Sequence, residues 1–192
     1  MAINRKYYGW RIALYGAPQV YQELRREKSF VLVEGYLDVL ALWQAGVRHS
    51  LAPLGTAVTS EQIRRLKRYA PRGLLLFDSD EAGVRAVERT IVLCEQQDLP
   101  TDVISLQQGK DPAEILEKDG PQALKKSLES TISSFQFYLG RAHSEYDSRT
   151  PDGKRAVIRH LGSYLTALDS QVRKDGYIRL LAEDLGVDFE SV

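Results

Sequence analysis

Cysteine is almost missing from this chain of 192 residues, and the single Cys94 excludes an internal disulfide and any zinc site built on a cysteine cluster. Its setting, IVLCEQQ, is that of a buried helical thiol. Long apolar runs are missing too: none approaches the ~20 residues that cross a bilayer, so no membrane association is expected. The start, Met1 to Lys6, is polar and basic and leads into no apolar segment of the kind a secretory signal needs. A cytoplasmic location follows as the expectation. Net charge is also lacking, with 26 Lys and Arg against 26 Asp and Glu, so attraction to nucleic acid has to come from local patches. Internal repeats and low-complexity segments are not found.

What remains, with 43% hydrophobic and 27% charged residues, reads as an α/β domain with a helical appendage. Phe30 to Val33 is a short apolar strand stopped by Glu34-Gly35, where the glycine permits a tight turn or a close approach to a ligand. Leu37 to Ala45 follows as a helix, with Leu37, Leu40 and Ala41 on one stripe and Gly46 as its stop. Ser50 to Pro53 makes a second strand. Thr59 and Gln62 have capping-box spacing at the head of a helix running to about Tyr69. That helix carries Arg64, Arg65, Lys67 and Arg68, a solvated face or a contact for phosphates. Gly73 to Phe77 is the third strand, Glu81 to Gln96 a long helix, and Asp102 to Leu106 a fourth strand. Short connections in the order βαβαβαβ imply a parallel sheet covered by helices, with ligands outside the carboxyl ends of its strands.

Beyond Ala113 no strand signal is read. Helices are expected over Pro112 to Lys118, Pro121 to Ser130, Ser133 to Glu145, Pro151 to Leu168 and Gln171 to Leu185, with Thr150 capping Pro151. At the other end, Pro18 opens a helix to Lys28. Before it, Tyr7, Tyr8, Trp10 and Tyr15 interleave with Arg5, Lys6 and Arg11. These rings either cover the open side of the domain or stack on a single strand of nucleic acid.

The acidic residues carry the chemistry. Leu74 to Phe77 delivers Asp78 and Asp80 to a strand end, and Glu34 and Asp111 fall at the same rim. Two carboxylates about 4 Å apart repel by roughly 4 kcal/mol at an effective dielectric near 20, so such a group shares protons or binds a cation. Hard oxygen donors suit Mg²⁺ or Mn²⁺ with water and phosphate oxygens completing the shell. The residues alone leave a second reading open, in which Asp80 and Asp111 only cap helices and Glu34 only ends a strand.

The wording of these segments resembles a known family. Glu34-Gly35 after one strand and Asp78-Ser79-Asp80 after another resemble the TOPRIM domain of primases, topoisomerases and some nucleases. More narrowly, VEGYLDVLALWQAG, LGTAVTSEQIRRLKRY, FDSDEAG and GKDPAE resemble the bacterial DnaG-type primase, as do TPDGKRAVIRHL and RLLAEDLGV in the helical part. The resemblance covers roughly residues 15 to 187. It implies a TOPRIM-type parallel sheet with flanking helices followed by an all-α subdomain: an amino-terminal segment 1–28, a TOPRIM domain 29–118 and a helical subdomain 119–192. It implies Glu34, Asp78 and Asp80 as catalytic, metal-binding acids with Asp111 as a further ligand. Asp38, Gly55, Thr56, Arg64, Lys67 and Arg68 are then contacts for nucleotide or nucleic acid. The implied activity is metal-dependent RNA primer synthesis from nucleoside triphosphates on a single-stranded DNA template in replication.

The chain departs from many relatives at Gln108 and Ala113, where they carry aspartate. The resemblance further implies that the family's zinc domain, its template-gripping subdomain and its helicase-binding domain lie outside this chain, so that contact with the replicative helicase runs through regions not present and the isolated chain makes few primers. The alternatives are a short TOPRIM protein serving as a binding module, and a metal-dependent nuclease using the same acids with water in place of the 3′-hydroxyl.

Overall fold

The computed structural model describes residues 13–17, 19–54, 57–78, 80–106 and 111–192. Two compact units divide the chain, one up to Ile132 and one over Ser133–Val192.

The first unit is built on a sheet of six strands in the order β1-β3-β2-β4-β5-β6. Its centre is parallel: β2 (Phe30–Val33) pairs with β3 (Ser50–Pro53) and β4 (Gly73–Leu76), and β4 pairs with β5 (Thr101–Ile104). All four residues of β2 are buried, as an unbroken Phe-Val-Leu-Val run covered on both faces requires. Both edges correct the sequence reading. β1 (Leu14–Tyr15) runs antiparallel to β3, and β6 (Thr131–Ser133) lies within the stretch beyond Ala113 where no strand is expected. Two or three residues show no period, so such edge strands exist only because a neighbour offers its ladder.

Helices α1 (Tyr21–Glu27), α2 (Tyr36–Gln44), α3 (Ser60–Lys67), α4 (Glu81–Glu95) and α5 (Pro112–Ser127) connect the strands. The predicted capping box of α3 forms: Thr59 Oγ1 accepts the Gln62 N–H at 3.2 Å and the Thr59 N–H donates to Gln62 Oε1 at 2.9 Å. Helix α5 is broken at Gly120 (φ 83°, ψ 175°), the residue expected to divide two helices. Helix α2 turns differently from its expected stripe. Val39, Ala41 and Leu42 are buried, whereas Leu37 and Leu40 are 59% and 38% exposed. The hydrophobic core gathers Val31, Val33, Leu42, Leu76, Ile104 and Leu124 between sheet and helices, and Cys94 is buried, with its thiol pKa raised by that burial.

In the second unit, α6 (Ser134–Glu145), α7 (Pro151–Ala167) and α8 (Gln171–Leu185) pack around aromatic rings. Phe135 stacks on Tyr177 at 4.8 Å and Tyr138 meets Tyr164 at 5.2 Å. Thr150 Oγ1 accepts the Gly153 N–H at 3.0 Å, which is the cap expected before Pro151. Among the described residues no helix is long and apolar enough to cross a membrane.

Candidate active site

Parallel strands bring their carboxyl ends to one edge, and the loops leaving β2, β4 and β5 carry the acids. Glu34 follows β2 directly and is exposed; Asp78 lies two residues after β4 and is half-buried. The Glu34 carboxylate accepts the backbone N–H of Asp78, which joins the two loops. Asp38, in the first turn of α2, accepts the Gly35 N–H at 3.2 Å and so holds the turn that presents Glu34. Asp80 and Asp111 are N-caps: each Oδ1 accepts a backbone N–H at 2.7 Å, from Gly83 and Glu114 respectively. The capping reading and the charged-rim reading therefore both describe these residues, since a cap engages one oxygen of each carboxylate.

Mutual repulsion marks these acids as one group. Burial raises the Asp78 pKa, and the charges of Asp111 and Asp80 raise it further. Burial also raises Glu34, helped by Asp78 and Asp80 and opposed by the hydrogen bond from Asp78. Asp38 moves furthest, to about 6, through burial first and then the charges of Asp111, Asp78 and Glu34, against the Gly35 hydrogen bond. Among the described residues no three His, Cys, Asp or Glu side chains form a ready-made cage for a metal ion. The donor set still fits Mg²⁺ or Mn²⁺, because such ions are held by one or two carboxylates plus substrate phosphates and water.

Gly83 is a residue that sequence reasoning passed over. A Cβ there would stand 2.2 Å from the Asp78 carbonyl oxygen and 3.1 Å from the Asp78 nitrogen, so only glycine lets the first turn of α4 lie against the acid-bearing loop. Its signal was available in FDSDEAG, where a glycine stands inside the first turn of a helix, a position propensity disfavours.

The proposed contacts divide. Asp38 joins the acidic rim, while Gly55 and Thr56 lie outside the described residues, as do Gln108 and the aromatic-basic positions Arg5, Lys6, Tyr7, Tyr8, Trp10 and Arg11. Tyr15 is described and packs on Tyr36 at 5.8 Å. Arg64, Lys67 and Arg68 are not brought to the rim. They sit at the carboxyl end of α3, which returns the chain to the amino end of β4, and Lys67 donates to the Gln97 carbonyl, just ahead of β5, at 2.5 Å.

Known proteins carry the same plan. A family described as Toprim-like matches residues 31–116, and one described as the DnaB-helicase binding domain of primase matches residues 135–190. The second match corrects the expectation that the helicase-binding region lies outside this chain. The DNA primase of Halalkalibacterium halodurans is 33% identical over 186 residues, which are 93% of this chain and 30% of that protein. A DNA primase domain from Pseudomonas aeruginosa has a crystal structure matching with a TM-score of 0.84 at 27% identity, over 95% of this chain and 58% of that one. The RNA polymerase domain of Mycobacterium tuberculosis primase DnaG, crystallised with a double-stranded DNA oligomer bearing a 6-nucleotide overhang, matches with a TM-score of 0.71 at 27% identity, over 94% and 59%. This chain spans about a third of the length of the curated relatives it matches. With a Toprim-like sheet, an acidic rim where that sheet ends and primase relatives along most of its length, the chain belongs to the DnaG-type DNA primase family.

Proposed function

We propose that this chain is the catalytic Toprim part and adjoining helical part of a bacterial-type DNA primase, joining ribonucleotides on a single-stranded DNA template in the cytoplasm. The observation that carries this reading is the electrostatic coupling of Glu34, Asp78 and Asp80 at one rim of a Toprim-like sheet. In the reaction the primer 3′-hydroxyl oxygen bonds to the α-phosphorus of a nucleoside triphosphate, the bond to the leaving pyrophosphate breaks, and the hydroxyl proton departs. Mg²⁺ or Mn²⁺, when bound, neutralises the triphosphate and acidifies the attacking hydroxyl. Glu34 and Asp78 would hold it, with the second oxygens of Asp80 and Asp111 available beside them.

The chain's own contribution is position and charge. Gly83 lets α4 press on the Asp78 loop, and Asp38 fixes the Glu34 turn through Gly35. The rim's repulsion, evident in the raised acids, favours a state in which cation and triphosphate arrive together. The DNA held by the Mycobacterium tuberculosis domain supports a nucleic-acid template, and the match at residues 135–190 supports the replicative helicase as partner.

Calorimetric titration of Mg²⁺ and Mn²⁺, with and without a nucleoside triphosphate, tests the site. Binding strengthened by nucleotide and abolished in Asp78→Ala is the expected result. No binding to either protein would overturn the reading, and release of short products from nicked or single-stranded DNA with Mn²⁺ would replace it with a nuclease.

A further inference from the structure

The amino edge of the same sheet is built with the opposite charge. Helix α1 ends there with Arg25, Arg26 and Lys28, α3 ends there with Arg64, Arg65, Lys67 and Arg68, and Arg72 leads into β4. Carboxylates engage only part of this set. Glu23 and Glu27 pair with Arg26, Asp98 with Lys67 and Asp102 with Arg72. Among the described residues, no carboxylate lies within ion-pair distance of Arg25, Lys28, Arg64, Arg65 or Arg68.

Two of these guanidinium groups are held in place by rings. Tyr21 of α1 and Tyr69, just past α3, stack at 4.1 Å with their planes 11° apart. Arg25 lies over the Tyr69 ring at 5.0 Å and Arg65 over the Tyr21 ring at 5.2 Å. Each arginine thus caps the stack contributed by the two helices. The stacking fixes side chains whose freedom is otherwise costly to lose on binding, so their donors are presented in advance.

We propose that this edge is a second nucleic-acid contact, gripping the phosphate backbone of a single strand away from the acidic rim. The inference rests on the nucleic-acid reading above. Charge and polarity choose the occupant. Among the described residues the exposed large apolar side chains are Tyr36, Leu37, Leu40, Tyr146, Val172, Leu180 and Phe189, and none belongs to α1, α3 or the segments that end them. A protein partner would find no apolar centre to bury here, whereas phosphate binding needs only cations. Both ring faces of the Tyr21–Tyr69 pair are covered, so the contact reads backbone and not bases.

The test is fluorescence anisotropy of a labelled oligothymidylate with the full chain across a salt series. Relative to wild type, Arg25→Glu with Arg65→Glu should weaken binding at least tenfold near 50 mM salt. It should also flatten the slope of log K against log salt by about 1.4, or ~0.7 for each phosphate no longer neutralised. Arg25→Lys with Arg65→Lys keeps the charge and should weaken binding only about 2–5-fold, because lysine cannot form the planar stack. If the reversed pair fails to fold by circular dichroism, Arg64→Glu with Arg68→Glu, which touches no ring pair, supplies the same reading. An unchanged slope in a folded reversed variant overturns the proposal, as does polyglutamate competing as well as DNA at equal charge. Loss of DNA binding with nucleotide-dependent Mg²⁺ binding intact is the expected pattern. Failure of the wild type to bind the strand sinks this surface alone, since the calorimetric test of the rim is read separately.

Discussion

The two edges of one sheet differ in almost every physical respect, although the same strands end at both. At the carboxyl edge Glu34, Asp38, Asp78, Asp80 and Asp111 crowd together, and burial with mutual repulsion raises Glu34, Asp38 and Asp78 above their ordinary values. At the amino edge arginines gather, and stacking aromatics hold two of them. The difference teaches that zero net charge describes the whole chain and hides a strong polarity across one unit. It also separates two kinds of stability. The acidic rim holds an electrostatic conflict that a bound cation would relieve, while at the basic edge rings hold two arginines and carboxylates engage only Arg26, Lys67 and Arg72 among the described residues.

The contrast breaks most severely at Gly83. Replacing it with alanine forces a methyl group toward the Asp78 carbonyl, an overpacking worth about 1–3 kcal/mol. At about 2–4 °C per kcal/mol for a chain of this size, melting should fall by roughly 2–12 °C. Nucleotide-dependent Mg²⁺ binding should drop more than tenfold while strand binding at the basic edge persists. An unchanged melt with unchanged metal binding would show that the rim does not depend on this contact.

The pH dependence sharpens the contrast next. Asp38 has a folded pKa of about 6 against an ordinary 3.8, so between those values the folded state holds a proton the unfolded chain has released. Its stabilising contribution is full below about pH 4 and is lost as pH rises through about 6. Glu34 and Asp78 shift in the same direction. Thermal melts from pH 4 to 7 without divalent ions should therefore show Asp38→Asn gaining stability relative to wild type as pH rises. Asparagine keeps an acceptor for the Gly35 N–H, so the turn survives the test. A constant difference across the range would contradict the repulsion.

A smaller effect belongs to α3, which spans the distance between the edges. Thr59→Ala removes the acceptor of the Gln62 N–H and should cost about 1 kcal/mol, a melting drop of about 2–4 °C. Because α3 presents the basic cluster, strand affinity should weaken slightly and metal binding not at all. Smallest is Asp78→Asn, which removes a charge disfavoured first by burial and then by Asp111 and Asp80, and should raise stability by up to about 1 kcal/mol while abolishing nucleotide-dependent metal binding. Opposite signs on stability and binding distinguish a functional acid from a structural one; a loss of both would make Asp78 a structural residue.

Much of this organisation was legible in the amino acids. The four central strands, the Thr59 and Thr150 caps, the break at Gly120 and the acidic rim all follow from local rules, because apolar runs, caps and glycines act within a few residues. The place of Arg64, Lys67 and Arg68, at the edge opposite the acids, follows from topology instead. In a parallel sheet every connecting helix runs back to the amino edge, so residues closing α3 end opposite the acids.

By itself, then, the sequence determined the parallel core, the existence of its helices and the acids that follow β2 and β4, since each depends on patterns read along a few turns or strand residues. Tertiary structure alone decided the edge strands β1 and β6, the exposure of Leu37 and Leu40, the fit of Gly83 against Asp78 and the stack joining Arg25 to Arg65. Each of those brings together segments distant in the chain, and no local period or propensity encodes which distant partner fills the space beside a residue.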